Sequence, residues 1–155
     1  MDFPYTLLSF EKHGESFVLF ADSIDEGTAA TKQYGIVSAV FRASLDVDGI
    51  KANIICDFTL KNLFDFYNQL ADCYNKVIGH AVLEDYVKEK TMLRIGFLPR
   101  TGHVCIEGKF TKYGSQNMVG FSFTTDQAYI KPMVSSLRCF FDELAQIQGF
   151  YDFQF

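Results

Sequence analysis

The stretch YGIVSAVFRASLDVDGIKANIICDF, residues 34–58, decides the fold class of this chain. Apolar and polar side chains alternate from Val37 to Val47, with Val40 as the exception, and alternate again from Ile50 to Phe58. Between the two runs, Asp48-Gly49 supplies residues that adopt the positive φ angles of a tight hairpin turn. The stretch therefore predicts two long antiparallel strands that bury one face.

The spacing of apolar residues changes from two to three or four directly after this hairpin. The apolar stripe is typical of an amphipathic helix and comprises Leu60, Leu63, Phe64, Tyr67, Leu70, Ala71, Tyr74 and Val77 or Ile78. The polar side comprises Lys61, Asn62, Asp65, Asn68, Asp72 and Lys76. Thr59 is the predicted N-cap, and Gly79 lies where the helix is expected to end. A helix with one apolar side is expected to lie against a sheet.

Further alternating segments predict the other strands. YTLLSF and SFVLFA form a predicted hairpin around His13-Gly14. Strands are also predicted at 80–87, 93–97, 104–110 and 119–123. The polar segment DSIDEGTAATKQ is predicted to be a mobile loop.

The segment VGFSFTTDQAYIKPM, residues 119–133, contains a junction between a strand and a helix. Asp126 lies where the period changes, so we interpret its carboxylate as a cap for the next turn rather than as a catalytic group. Either a helix begins at Asp126 and is kinked by Pro132, or a short turn covers 126–130 and Pro132 opens the helix. The helix carries the apolar stripe Met133, Val134, Leu137, Phe140, Phe141, Leu144 and Ile147, and Gly149 can end it.

The closing residues GFYDFQF place Tyr151, Phe153 and Phe155 at alternate positions. Three aromatic side chains are expected to leave water, either as an edge strand of the sheet or by docking on a partner, including a second copy of the chain. We favour the edge strand, because burial within one chain needs no second molecule. Together the segments predict a single α+β domain over residues 1–155. It has one antiparallel sheet of about seven or eight strands, with two helices mainly on one face.

The composition excludes several classes of protein. The chain has 155 residues, of which 48% are hydrophobic, so it can bury a large core. No apolar run reaches the ~18 residues of a membrane span, and the first residues lack the features of a secretory signal, so we expect a cytoplasmic protein without a membrane segment. The net charge of −5 argues against direct binding to nucleic acid and allows a basic protein partner. The cysteines have no CxxC pair and are expected to be buried free thiols; they are Cys56, Cys73, Cys105 and Cys139.

No motif for catalysis, metal binding or a cofactor emerges from the sequence. His13, His80 and His103 lie beside predicted turns or strand starts, outside any GxSxG or HExxH context, and are interpreted as polar turn residues. The acidic segment DSIDEG lacks the spacing of a calcium loop. We therefore expect a protein that is not an enzyme and holds no metal or cofactor, although a site assembled across strands would leave little trace in the sequence.

Four segments between Thr59 and Leu137 carry a family resemblance: LKNLFDFYNQL, GHAVLEDYV, LRIGFLPRTGHVCIEGKF and GFSFTTDQAYI. The last combines an aromatic strand, an Asp-Gln pair and an aromatic-aliphatic pair. In these features the chain resembles the WapI-like immunity proteins of bacterial contact-dependent toxin systems. The resemblance implies a small cytoplasmic protein that binds and neutralises a cognate toxin, often a nuclease.

Two acidic clusters are the candidate contacts for such a partner, because a nuclease active site is basic. They are Asp22, Asp25 and Glu26 in the polar loop, and Glu84 with Asp85 in a later strand. Two hypotheses from other classes remain open. One is a structural or regulatory domain that associates with itself through its aromatic tail. The other is a small-ligand-binding protein or enzyme with a pocket between sheet and helices.

Overall fold

The structure, a computed structural model, describes residues 1–24, 39–87, 90–112 and 115–146. These residues form eight strands: β1 (Tyr5–Lys12), β2 (Glu15–Ile24), β3 (Ala39–Val47), β4 (Ile50–Cys56), β5 (Gly79–Glu84), β6 (Thr91–Phe97), β7 (His103–Thr111) and β8 (Met118–Asp126). They also form helix α1 (Leu60–Lys76), a 3-10 turn (Gln127–Tyr129) and helix α2 (Ile130–Gln146).

The strands form two antiparallel sheets, each with its strands in chain order. Strands β1 to β4 make the N-terminal sheet, and strands β5 to β8 make the C-terminal sheet. The predicted α+β class and the number of strands are confirmed, whereas the prediction of one single sheet is wrong. Helix α1 separates β4 from β5 along the chain and packs against β5, so β5 begins a second sheet instead of extending the first.

Phenylalanine rings join the inner faces of the two sheets. The ring centroids of Phe10 and Phe123 are 4.6 Å apart, and those of Phe17 and Phe121 are 4.9 Å apart. All four side chains are buried in one core that both sheets and both helices share. Aromatic pairs of this kind contribute about 0.5–1.5 kcal/mol each beyond the burial of their area, so they hold the two sheets in a fixed relation.

The hairpin predicted at residues 34–58 is confirmed over β3 and β4, which are described from Ala39 onward. Val47 pairs with Ile50 across the turn, and both turn residues have positive φ, 52° for Asp48 and 78° for Gly49. Alternate residues of β3 point into the core, as the sequence pattern predicts. The local pattern therefore specified the register as well as the turn.

Helix α1 begins as predicted and ends differently. Thr59 Oγ1 accepts a hydrogen bond from the Asn62 backbone N–H at 3.1 Å, and Asn62 Oδ1 accepts one from the Thr59 N–H at 2.9 Å. This reciprocal capping box buries Asn62, so its predicted place on the solvent-facing side is wrong. The left-handed residue that ends the helix is Val77, with φ 55° and ψ 37°, rather than Gly79.

The junction before α2 resembles the second of the two predicted arrangements. Asp126 lies at the N-cap of the 3-10 turn, and its Oδ1 accepts a hydrogen bond from the Ala128 N–H at 2.7 Å. Helix α2 begins at Ile130, so Pro132 lies in its first turn. The missing N–H of proline costs no helical hydrogen bond there, because the first N–H groups of a helix have no intrahelical partner.

Each helix covers the edge strand of one sheet. Gln69 of α1 accepts a hydrogen bond from the Val82 N–H of β5 at 3.0 Å, and the Ser136 hydroxyl of α2 donates to the Thr6 carbonyl of β1 at 2.7 Å. The helices also contact one another, with the Phe141 ring of α2 against Phe64 of α1. The two helix contacts thus satisfy polar backbone groups that an edge strand otherwise exposes.

Several predicted features lie outside the described residues. They are the polar loop from residue 25 onward, the end of the last helix and the aromatic tail with Tyr151, Phe153 and Phe155. Strand β5 ends at Glu84 rather than at Val87.

We expect Gly108→Ala to destabilise the protein by roughly 1–3 kcal/mol, since an added Cβ overpacks the core. That Cβ would lie 2.3 Å from the Phe121 ring, which cannot withdraw because Phe17 and Phe110 pack against it. Urea unfolding monitored by circular dichroism measures the change. Gly120→Ala in β8 is the matched control, because its Cβ meets only a carbonyl oxygen at 3.7 Å. Equal stability of the two variants would contradict the prediction.

We expect Val77→Gly to raise the free energy of unfolding by roughly 0.5–1 kcal/mol. A left-handed conformation costs an L-residue about 1–2 kcal/mol, and glycine recovers this at the expense of some chain entropy. Little packing is lost, because Val77 is exposed. Thermal unfolding tests the prediction, with the neighbouring exposed Ile78→Gly as the control, for which we expect a loss of stability. A loss in Val77→Gly as well would show that the backbone conformation is not the cause.

Candidate partner-binding site

A groove lies between helix α1 and the outer side of strand β5. Its volume is about 620 Å³, and its lining comprises Asn62, Asp65, Asn68, Gln69, Val82, Glu84 and Thr91. The helical members recur at intervals of three and four, which places them on one side of α1. The sequence pattern shows this polar side, but only the pairing of α1 with β5 shows that it faces a strand. We call this cavity the α1–β5 groove.

Fixed side chains build the wall of the α1–β5 groove, and carboxylates line it. Gln69 is held by its hydrogen bond to Val82, and Asp65 forms an ion pair with Lys61 at 3.0 Å. Glu84 is half-buried, and none of the described residues forms an ion pair or a side-chain hydrogen bond with it. The groove thus presents a carboxylate whose charge is not balanced by a described neighbour.

Glu84 and Asp85 are adjacent in sequence but differ in what they contact. Asp85 accepts a hydrogen bond through Oδ1 from the Lys90 N–H at 3.0 Å, and its own N–H donates to the Lys90 carbonyl at 3.0 Å. Asp85 therefore closes the connection from β5 to β6, while Glu84 lines the groove.

Asp22 lies on strand β2 rather than in the predicted polar loop. The Arg42 guanidinium donates to both of its carboxylate oxygens at 2.8 Å and lies 4.5 Å from the centroid of the Phe20 ring. Phe20 pairs directly with Arg42 across the strands, and Asp22 follows two residues later on the same face. The charge of Asp22 is therefore matched within the protein. Asp25 and Glu26 lie outside the described residues.

A second cavity lies on the outer face of the C-terminal sheet and has a volume of about 810 Å³. Its charged residues are Lys90, Arg94, Lys109 and Glu107, so cations outnumber carboxylates. Thr91 lines both this cavity and the α1–β5 groove, so the two adjoin at this residue. We call this cavity the cationic depression. The amino-acid sequence does not reveal it, because its residues come from three strands and the connection before β6 and share no local pattern.

The histidines and the possible metal ligands among the described residues are the remaining candidates for chemistry. His13, His80 and His103 are all exposed, at a turn or at strand starts. No group of three or more His, Cys, Asp or Glu side chains within those residues is arranged to hold a metal ion.

All four cysteines are free, but the prediction that they are all buried is wrong. Cys56 and Cys73 are buried, Cys105 is half-buried, and Cys139 is exposed on α2. Burial raises the pKa of the Cys56 thiol to about 12, and burial together with Asp72 raises the pKa of Cys73. A thiol with a raised pKa is a poor nucleophile, so neither buried cysteine is suited to covalent chemistry.

Comparison with known proteins identifies the family. A family model described as the immunity protein WapI-like family matches residues 39–145, which is well over half of the chain. This chain belongs to the WapI-like immunity protein family, as the segments between Thr59 and Leu137 predicted. No curated protein and no solved structure matches it. None of the helices described is long and apolar enough to cross a membrane.

The matched residues contain the α1–β5 groove and the cationic depression in full. They begin at β3 and end within α2, so Asp22, Asp25 and Glu26 precede them. Of the two predicted acidic clusters, only Glu84 with Asp85 lies in the part of the chain that defines the family.

We expect the stability of the protein to fall as the pH rises from about 9 towards 12, partly because of Cys56. Its pKa rises from 9.0 in the unfolded chain to about 12 when folded, so above pH 9.0 the unfolded state releases a proton that the folded state keeps. Below pH 9.0 the Cys56 thiol is protonated in both states, so its ionisation does not lower the free energy of unfolding. Urea midpoints across this range should fall less steeply for Cys56→Ala than for the unmodified protein. Cys139→Ala, which removes an exposed thiol, should follow the unmodified protein; identical slopes for all three would refute the assignment.

Proposed function

We propose that this protein is a non-catalytic immunity protein that binds a cognate toxin in the cytoplasm and blocks its active site. Membership of the WapI-like family supports a toxin-neutralising role. The four free thiols agree with a reducing compartment. The shared core of both sheets and both helices supports a single domain as the binding unit.

The α1–β5 groove is the observation that carries the proposed binding mode. Glu84 lines a concave surface and has no described ion-pair partner, Asp65 lines it while paired with Lys61, and the protein has a net charge of −5. A nuclease active site is basic because it holds phosphates, so carboxylates in a rigid groove match its charge. Complementary charge of this kind accelerates encounter and orients the two proteins. We therefore propose a basic toxin, with a nuclease as the specific case.

The predicted acidic residues are expected to contribute differently to toxin binding. Glu84 contacts the toxin directly, and Asp85 positions Glu84 through its hydrogen bonds to Lys90. Asp22, Asp25 and Glu26 are proposed as a second contact, to which Asp22 contributes less because Arg42 already pairs with it.

The test measures binding to the toxin domain encoded by the neighbouring gene, by isothermal titration calorimetry at low and at moderate salt. Glu84→Lys and Asp65→Lys, each made alone so that its change in charge equals that of the control, should raise the Kd, Glu84→Lys by at least about tenfold at low salt. The loss should shrink as salt screens the charges. Asp72→Lys is the matched control. Asp72 also forms an i,i+4 ion pair on α1, with Lys76 at 2.9 Å, but it does not line the groove.

The possible results separate the function from the site. If the unmodified protein does not bind the neighbouring toxin, the proposed function is wrong. If it binds, and Glu84→Lys and the Asp72 control retain equal affinity, the toxin is recognised elsewhere and the groove assignment is wrong.

A further inference from the structure

The outer face of the C-terminal sheet carries a surface that the proposed function does not use. The cationic depression holds Lys90, Arg94 and Lys109 on a protein whose net charge is negative. We propose that this depression binds an acidic, extended segment of a partner protein. The proposal concerns a different charge and a different ligand from those of the α1–β5 groove, so it stands independently of the identity of the toxin.

The cations of the depression are incompletely neutralised. Arg94 and Glu107 form a cross-strand ion pair at 3.7 Å, with both side chains about half exposed. Neither Lys90 nor Lys109 forms an ion pair with any residue that the structure describes. Two positive charges therefore face the cavity without a described counter-charge. Charge complementarity calls for an anionic ligand.

The spacing of the cations fits an extended polypeptide. Arg94 pairs with Glu107 across strands β6 and β7, and Lys109 lies two residues beyond Glu107 on the same face. Diagonal neighbours of this kind lie roughly 7–8 Å apart at the backbone, within reach of long side chains. Alternate side chains of an extended segment are about 6.6 Å apart. Carboxylates at every second residue of the ligand can therefore meet Arg94 and Lys109 in turn.

The depression also leaves room for a backbone and for one apolar side chain. Gly120 of β8 lies opposite Lys109 and has no side chain, so the surface is open above the strand. The Ser122 hydroxyl lies on the same face, where it can bond to an approaching backbone. Met118 is 59% exposed at one end of the depression and offers an apolar contact. The ligand is thus an acidic segment with an apolar residue near one end.

The surrounding charges favour a polypeptide over a nucleic acid. Glu107 lies within the depression, and Glu84 lies across Thr91 in the adjoining groove. A continuous phosphate chain would pass close to these carboxylates and would face the net negative charge of the whole protein. A short acidic segment can end before it reaches them.

The test uses a short fluorescein-labelled peptide with Glu at alternate positions and a Leu near one end, and measures fluorescence anisotropy at low ionic strength. The unmodified protein should bind this peptide and should not bind a peptide in which Lys replaces every Glu. Lys109→Glu should weaken binding by at least about tenfold. Lys51→Glu is the matched control, because Lys51 lies on the other sheet and pairs with Asp46. It should retain the affinity of the unmodified protein.

A variant without any charge change tests the shape of the depression. Gly120→Val should place a branched side chain where the ligand backbone is proposed to lie, and should weaken peptide binding by at least about tenfold. It should leave thermal unfolding unchanged or raise its midpoint, because an added Cβ meets only the Gly108 carbonyl oxygen at 3.7 Å and valine favours strands.

Three results would overturn the proposal. The unmodified protein could fail to bind the acidic peptide, Lys109→Glu could bind it as well as Lys51→Glu does, or Gly120→Val could fold and bind normally. A single-stranded oligonucleotide that displaces the peptide at equal concentration would show instead that the depression recognises phosphates. None of these results bears on the toxin assay, in which the acidic groove is varied and Lys109 is left intact.

Discussion

The ring of Phe121 lies in the space that a side chain at residue 108 would occupy. The packing of the two sheets depends on the absence of a side chain there. Because residue 108 is glycine, the Phe121 ring can lie over it and reach Phe17 on the opposite sheet. Phe10 and Phe123 make a second bridge between the sheets. Close packing of these buried rings disfavours a shift of one strand, so the inner faces are fixed and the outer faces remain available to partners.

The edge strands connect this core to the candidate site. An exposed edge invites pairing with another chain, and here α1 and α2 each cover one edge through a side-chain hydrogen bond. Where α1 meets β5, the polar residues that hold the helix in place also form the wall of a groove. The α1–β5 groove therefore forms because α1 covers the edge strand β5. Its carboxylates are positioned by rigid secondary structure rather than by a loop.

Two adjoining surfaces differ in their balance of charge. Glu84 and Asp65 line the α1–β5 groove, whereas Lys90, Arg94 and Lys109 outnumber Glu107 in the cationic depression. The net charge of −5 belongs to the whole chain, so it does not describe the local charge of the groove or of the depression. A partner that covers both surfaces needs both signs of charge in a fixed order, and such an arrangement favours specificity over raw affinity.

The amino-acid sequence predicted most of the strands, both helices, the β3–β4 register, the cap at Thr59, the capping role of Asp126 and the family. Each of these depends on residues close together in the chain, through alternation, turn chemistry or a side chain bonding to a nearby N–H group. Tertiary packing established that there are two sheets, that Asn62 is buried, that Val77 ends α1, and that Asp22 is neutralised by Arg42. It also decided which polar residues share a cavity, because residues of α1, β5 and β6 meet only after the helix has packed. Local pattern cannot carry that information, since hydrophobic periodicity shows which face is buried but not what lies opposite it.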